Sequence, residues 1–358
     1  VPDQAGRPPD QAGRRLRAGR GLAVVPMALA WAVLPALPAG ATTGAAPYGA
    51  PATQCEIGDP RLPEVSGLAT AGPSLLAMND GGARAEVFVL DAACVVAEVR
   101  SAPVDPYDPE DLALAADGTL WLADIGDNRM DRSTVALIGL RPDGSTSLTR
   151  LSYPDGPHDA EALLLAPDGT PYLVTKEVLG ASAVYRPDAP LADGATVPMS
   201  KVADLGLTLT GTPGGPVGRA GQLLVTGGAV SADGQRLALR TYTDAYVWPL
   251  ADSDVVGALR GTPVRIALPE APQGEAISFA ANSRDLLVAG EGLPSVVTVV
   301  PAETVAADAA VGAPTDPAAA TADVAEIPAA VSPITAAVIA AAVATVVVWV
   351  GGRFRRSS

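Results

Sequence analysis

Residues 110–118 read EDLALAADG: an acid, a largely apolar run, then Asp117-Gly118. Asp-Gly between apolar runs is the strongest short signal for a β-hairpin, with both turn residues expected at positive φ. The same frame recurs at 161–169 (EALLLAPDG) and 226–234 (TGGAVSADG). It returns more loosely at Glu275, where Asn282-Ser283 takes the turn, and at Ser66, where Gly72-Pro73 does. The anchors Ser66, Glu110, Glu161, Thr226 and Glu275 stand 44, 51, 65 and 49 residues apart. Periods of about forty to fifty residues match four-stranded propeller blades better than any solenoid. The expected fold is therefore all-β, a β-propeller of five four-stranded blades, with a sixth only if the long 161–226 interval is split. Strand material ahead of Ser66 is available to complete the last blade and close the ring.

Between Cys55 and Pro301 the helical period is absent. Short β-branched or alternating runs bounded by Gly, Pro, Asp and Asn read as strands: EVFVL at Glu86, TLWLAD at Thr119, PYLVTK at Pro171, RLALRTY at Arg236 and DLLVAGE at Asp285. The propeller is placed at 55–302, after a lead-in at 42–54. Gly211 to Gly221, GTPGGPVGRAG, lacks the Lys-Ser/Thr of a phosphate loop and reads as a surface loop.

The ends of the chain differ from this middle. Arg14, Arg15, Arg17 and Arg20 precede an apolar stretch from Leu22 that ends in Ala39-Gly40-Ala41. A basic region, an apolar core and a small-residue cleavage site make a signal peptide, assigned here to 1–41 together with an upstream PDQAGR extension. Arg14-Arg15 suggests twin-arginine export, although the missing flanking residues favour general secretion. Residues 334–350, ITAAVIAAAVATVVVWV, carry no charge and are followed by Arg353, Arg355 and Arg356. That pattern predicts a membrane-spanning helix with a basic cytoplasmic tail at 351–358. Residues 303–333, rich in Ala, Pro and Thr, read as a stalk. The expected localisation is the cell membrane, single-pass, with the ectodomain outside.

Without both ends, sixteen basic residues face 37 acids, a net charge of −21. Such a field repels nucleic acid and anionic lipid and concentrates cations. Only Lys176 and Lys201 are lysines, so codon usage of a high-GC genome contributes to the imbalance. The two cysteines of the ectodomain, Cys55 and Cys94, are expected to pair as a disulfide that ties the entering segment to the far side of the first repeat.

In this order, EVSGLA at Glu64, MNDGG at Met78, PEDLAL at Pro109, LADIGDNR at Leu122, HDAEAL at His158, LVTKE at Leu173, ALRTY at Ala238 and QGEAI at Gln273 resemble a group of secreted bacterial β-propellers common in actinobacteria, most without an assigned activity. More distantly the frame is similar to propeller phytases, gluconolactonase-like enzymes and NHL- or WD-repeat proteins. The resemblance implies a propeller and an extracytoplasmic location, and leaves the reaction to be argued from the site. Where the group often has an aromatic residue before Glu-Asp, this chain has Pro109.

In a propeller the anchors begin the innermost strands, and the next strand returns antiparallel to the same channel mouth. The returning ends carry Asn79-Asp80, Asp124, Asp127-Asn128, Lys176-Glu177, Arg240-Thr241 and Glu291. Acids therefore collect at one mouth: Glu110, Asp111, Asp124, Asp127, Asp159, Glu161, Glu275 and Glu291. They need a cation, a basic ligand or internal counter-charges. Oxygen donors without sulfur or imidazole favour Ca²⁺, with Glu110, Asp124, Asp127, Glu161, Glu275 and Glu291 as candidate ligands and ADIGDNRMD as the best loop. Any single acid has a simpler use, tying down neighbouring backbone amides.

Lys176 and Arg240 are the expected counter-charges, or alternatively recognise phosphate or carboxylate, and Tyr242 walls a pocket or packs. His158 beside Asp159 is a weak candidate general base, and there is no Gly-x-Ser-x-Gly elbow. The leading expectation is a surface-displayed propeller that binds a ligand or protein at an acidic mouth, with Ca²⁺ built in. The alternative is a metal-dependent hydrolase of phosphate esters or lactones that uses the same ring.

Overall fold

The computed structural model describes residues 48–303. The signal peptide, the first part of the lead-in (42–47), nearly all of the stalk and the C-terminal helix expected from the sequence lie outside them. Among the described residues no helix is long and apolar enough to cross a membrane.

The structure is nearly all-β and has the architecture of a β-propeller. One four-stranded meander holds β2 (Val65–Ala71), β3 (Ser74–Asn79), β4 (Ala85–Leu90) and β5 (Val96–Ala102). β6 (Pro109–Leu114), β7 (Leu120–Asp124), β8 (Val135–Leu140) and β9 (Thr146–Ser152) follow as a second meander, joined edge to edge with the next four strands in one eight-stranded sheet. Then come β10 (Ala160–Leu165), β11 (Pro171–Thr175), β12 (Ala181–Pro187) and β13 (Thr196–Gly206), followed by β14 (Val225–Val230), β15 (Arg236–Thr241), β16 (Asp244–Pro249) and β17 (Val264–Ala267). The last sheet holds β18 (Gly274–Phe279), β19 (Leu286–Gly290) and β20 (Ser295–Val300), with β1 (Ala52–Ile57) from the start of the domain as its outer strand.

The innermost strands touch in cyclic order: β2 with β6, β6 with β10, β10 with β14, β14 with β18, and β18 with β2. β1 pairs antiparallel with β20, so material from both ends of the domain shares one sheet and the ring has no seam held by loops alone. Cys55 of β1 is disulfide-bonded to Cys94 in the β4–β5 turn, with Cα atoms 5.8 Å apart. The bond joins the last sheet to the first.

The long interval between the third and fourth anchors has a local cause. β13 runs eleven residues, pairing first in parallel with β9 through Thr196–Pro198 and then with β12. It is followed by a loop that contains a 3₁₀ turn, Gly218–Gln222. Gly215 and Gly221 of the glycine-rich stretch lie on Tyr242: a Cβ on them would sit 2.9 and 3.4 Å from its side chain.

The Asp-Gly hairpins differ from the expected geometry in one respect. Only the glycine has positive φ, as at Gly118 (+85°) and Gly169 (+85°). Gly118 N–H donates to Ala115 O and Ala115 N–H to Thr119 O, each at 2.9 Å. This is an ordinary turn followed by a glycine bulge, so the Asp keeps right-handed backbone and uses its side chain to accept the Thr119 amide at 2.9 Å. Packing between the sheets is apolar. Leu68, Leu112, Leu163 and Ile277 are at most 2% exposed, each removing apolar surface from water at roughly 25 cal/mol per Å².

Candidate functional site

Each inner strand carries a register shift at the same place. It falls between Val65 and Gly67, Pro109 and Asp111, Ala160 and Ala162, Val225 and Gly227, and Gly274 and Ile277. The residue inside the shift is Ser66, Glu110, Glu161 or Thr226, and in the last strand the shift spans Glu275. A bulge inserts one residue and re-aims its side chain. The repeated anchors are therefore bulge residues. Opposite them lie the returning ends, Val65 against Asn79, Pro109 against Asp124, Ala160 against Thr175, Val225 against Thr241 and Gly274 against Gly290.

The position after each anchor is Gly67, Asp111, Ala162, Gly227 or Ala276. A Cβ on Gly67 would sit 2.8 Å from Leu112 N, and one on Gly227 would sit 2.4 Å from Glu275 O, so these strands approach too closely for a side chain. Asp111 alone is polar. Its carboxylate is fully buried and accepts the amides of Leu112 (2.8 Å), Leu163 (2.7 Å) and Gly228 (3.1 Å), each two residues after an anchor. One side chain thus gathers the amides of three inner strands. Burial pushes its pKa well up, against the pull of the three amides.

The acid centre lies at the anchor end. Carboxylate oxygens of Asp80, Asp108 and Glu110 lie within 4.8 Å of one another. Ser66 Oγ donates to the Glu110 backbone carbonyl and lies 3.3 Å from Glu110 Oε2. Burial raises the pKa of Glu110 well above the usual carboxylate range, and the charges of Glu161, Asp80 and Asp108 add to it. Asp80 is raised likewise, by burial and then by Asp108, Glu275, Glu64 and Glu161.

Glu161 pairs with Lys176 through Oε1, while its buried Oε2 has no hydrogen-bond partner. Lys176 lies over the Tyr242 ring, 5.1 Å from its centroid. Glu275 and Glu291 are hydrogen-bonded carboxyl to carboxyl, and Gln273 Nε2 donates to Glu291 Oε2. Burial, then the Glu291 charge, lifts Glu275 to about 8; burial lifts Glu291 to about 7. Two such groups in contact share one proton between them.

The structure thus brings Glu110, Glu161, Glu275 and Glu291 into one electrostatic network with Lys176 and Tyr242. Asp124 and Asp127 are engaged differently. Asp124 accepts the Asp108 amide at 2.9 Å and pairs with Arg132 at 3.0 Å. Asp127 accepts the amides of Asp131 (3.1 Å) and Arg132 (2.9 Å), and its own amide donates to Asp159 (2.8 Å). Gly126 N–H donates to Asp108 O at 3.0 Å. The ADIGDNRMD loop is therefore a clamp that holds Asp108.

Arg240 is 2% exposed and donates to the backbone carbonyls of Thr241, Ala276, Ala289 and Tyr242, at 2.9 to 3.4 Å. Burial lowers its pKa to about 10. Its donors are turned onto the main chain of β18, β19 and the end of β15.

His158 has Nε2 3.0 Å from Asp155 Oδ1 and 2.9 Å from Tyr185 Oη, with its ring edge-on to Tyr153. It packs in an aromatic cluster of its own, outside the acid centre.

Asp108 was missed in the sequence. The signal was present: an acid two residues ahead of an anchor, in DPEDL. Gly126 was also missed. A Cβ there would sit 2.2 Å from Glu110 Oε1 and 2.8 Å from Asp108 Oδ2, so glycine leaves room for the two carboxylates. The donor set suits a hard cation: oxygens only, and clustered.

No family model matches the chain, and no curated protein matches it. Among solved structures it is similar to a gluconolactonase from Xanthomonas campestris, 18% identical, over 64% of this chain and 68% of that one, with a TM-score of 0.37. It is also similar to a catalytically inactive virginiamycin B lyase from Staphylococcus aureus solved with quinupristin, 12% identical over 66% of each chain, TM-score 0.33. These are distant likenesses of fold, and no activity follows from them.

Proposed function

We propose that this chain is a five-bladed β-propeller whose acidic mouth holds a divalent cation, Ca²⁺ by the character of its donors, and hydrolyses a neutral lactone or ester there. The observation that carries the reading is the convergence of Asp80, Asp108 and Glu110, within the same electrostatic network as Glu161, whose buried Oε2 has no hydrogen-bond partner. Asp80, Asp108 and Glu110 would hold the ion, and the charge of Glu161 acts on Glu110 and Asp80. A cation bound there supplies polarisation of a carbonyl oxygen. The chain itself supplies a carboxyl pair, Glu275 and Glu291, that exchanges a proton near neutral pH.

A neutral substrate is favoured over a phosphate ester. The cations at the mouth are already engaged, Lys176 by Glu161 and Arg240 by backbone carbonyls. The chain itself leaves no unengaged cationic side chain among Lys176 and Arg240 to receive a phosphate, which would have to rest on the bound cation alone. The residue pattern of the flanking segments supports export and display: a signal over 1–41, a stalk over 303–333 and an anchoring helix over 334–350.

The test is calorimetry of the purified domain with Ca²⁺, Mg²⁺, Mn²⁺ and Zn²⁺, followed by a screen of lactones, esters and phytate. Metal-dependent turnover of a lactone or ester that is lost in Glu110→Gln supports the hydrolase. Metal binding without turnover would return the mouth to a ligand-binding role at the cell surface. No metal binding at all would remove the centre.

A further inference from the structure

His158, the one histidine of the chain, has a carboxylate facing each of its ring nitrogens, and the two carboxylates come from different loops. Nε2 lies 3.0 Å from Asp155 Oδ1, on the β9–β10 loop that also carries His158. Nδ1 lies 3.8 Å from Glu177 Oε1, on the β11–β12 loop. Two aromatic rings hold the plane of the imidazole: Tyr153 meets it edge-on at 5.1 Å and Tyr185 of β12 lies tilted at 5.2 Å. Tyr185 Oη is 2.9 Å from Nε2 and donates to Asp155. The imidazole remains 20% exposed, so protons from solvent reach it.

The number of donors decides what this arrangement can do. A neutral imidazole carries one N–H, an imidazolium carries two, and an ionised carboxylate only accepts. The neutral ring can therefore serve one of its two carboxylates and the protonated ring both. Burial works to raise the Asp155 carboxyl, but the hydrogen bonds from Tyr185 and His158 bring it below its ordinary value. Burial pushes the Tyr153 and Tyr185 phenols up, with Asp159 adding to the first and Asp155 to the second. Neither Asp155 nor either phenol thus changes charge where histidine titrates, roughly pH 5–8. The charged groups further out are engaged elsewhere. Asp159 accepts the Asp127 amide at 2.8 Å, Lys201 of β13 pairs with Asp204, Lys176 with Glu161 and Arg132 with Asp124.

We infer that His158 is a pH-operated latch between the β9–β10 and β11–β12 loops: the imidazolium holds Asp155 through Nε2 and Glu177 through Nδ1, and the neutral ring, bonded to Asp155 and Tyr185, releases Glu177. The tie is present at acid pH and is lost as pH rises through the histidine's titration, because only the protonated ring carries the second donor. The β11–β12 loop begins at Lys176, whose amide donates to Asp159 O at 2.9 Å and whose ammonium holds Glu161. Closing the latch thus steadies the segment that carries the counter-charge of the mouth. The inference holds whatever the mouth binds.

The test is hydrogen exchange of the purified protein from about pH 5 to about pH 8, read as protection factors so that the intrinsic pH dependence of exchange drops out. Ring ¹⁵N shifts of the one histidine give its titration curve in the same sample. The readout is the turn at 177–180, where Gly180 N–H donates to Glu177 O at 2.9 Å. Its protection should be higher at acid pH by roughly twofold to fivefold, the scale of a part-exposed ion pair, and should fall along the histidine curve. Glu177→Gln and, separately, His158→Gln should each abolish that local change while the amides of β2 to β5 behave as in the wild type. Protection at 177–180 that is independent of pH, that varies off the histidine curve, or that keeps its full pH dependence in Glu177→Gln overturns the latch.

Discussion

The Asp111 carboxylate accepts a hydrogen bond from the Gly228 amide at 3.1 Å, across 117 residues of chain. With Leu112 and Leu163 as its other donors, Asp111 is the point where three inner strands are fastened together. The same bulge that frees these amides turns Glu110 and Glu161 toward the acid centre. The fastening of the ring and the aiming of the site are one backbone feature.

Replacing Asp111 with Ala should leave three buried amides without an acceptor. Each unsatisfied buried amide costs about 1–3 kcal/mol. A loss of at least about 3 kcal/mol corresponds to a Tm drop of roughly 6–12 °C in a domain of this size. Thermal unfolding by circular dichroism measures it. A change below about 2 °C would mean the amides find other partners.

Stability without metal should fall as pH rises. Glu275 and Glu291 are lifted to about 8 and about 7, chiefly by burial, while unfolded Glu titrates near 4.3, roughly. Through that interval the native state binds more protons than the unfolded chain, so the unfolding free energy decreases with pH. The loss begins above the unfolded value and is complete above the folded ones. Tm measured in a chelator from acid to mildly alkaline pH should therefore decline, and Glu275→Gln, which mimics the protonated form, should flatten the decline. A Tm that climbs over this range would contradict the burial account.

On the proposed cation site, Gly126→Ala should abolish stabilisation by added Ca²⁺. The new methyl would sit 2.2 Å from Glu110 Oε1, and the carboxylates must part to accept it. The readout is the Tm difference with and without Ca²⁺, expected to be several degrees in the wild type and close to zero in the variant. An unchanged difference would place the ion elsewhere.

Removing the disulfide with Cys55→Ser should cost about 2–4 kcal/mol, as expected for a bond closing a loop of this order. The cysteines are 39 residues apart and link β1 to the β4–β5 turn. Hydrogen exchange should rise first in β1 and β20, because β1 then keeps only its pairing with β20. Uniform loss across all sheets would argue against a local latch.

Much of the fold was legible because the repeat is written in local chemistry. EVFVL, TLWLAD, PYLVTK, RLALRTY and DLLVAGE fall on β4, β7, β11, β15 and β19, since β-branched runs between turn residues leave little choice of backbone. The pairing of Cys55 with Cys94 followed from their being the only two thiols of the domain. The positive φ expected at both residues of each Asp-Gly was wrong at the Asp, because the glycine bulge needs only one such residue.

The site was legible by residue type and not by contact. Glu110, Glu161, Glu275 and Glu291 could be named because they sit at repeat positions, and those positions recur around the ring. Asp124, Asp127 and Arg240 occupy comparable places but spend their polar atoms on Asp108, Arg132 and backbone carbonyls. Hydrogen bonds are short-range and directional, so which partner a carboxylate finds depends on distances of tenths of an ångström, which no spacing in the chain encodes. The sequence alone determined a repeated β-architecture, an acidic composition and one disulfide, because these depend on residue type and period. Only the folded structure decided that Asp80 and Asp108 join Glu110 and that Asp111 binds strands together, because each of those facts is a meeting of residues distant along the chain.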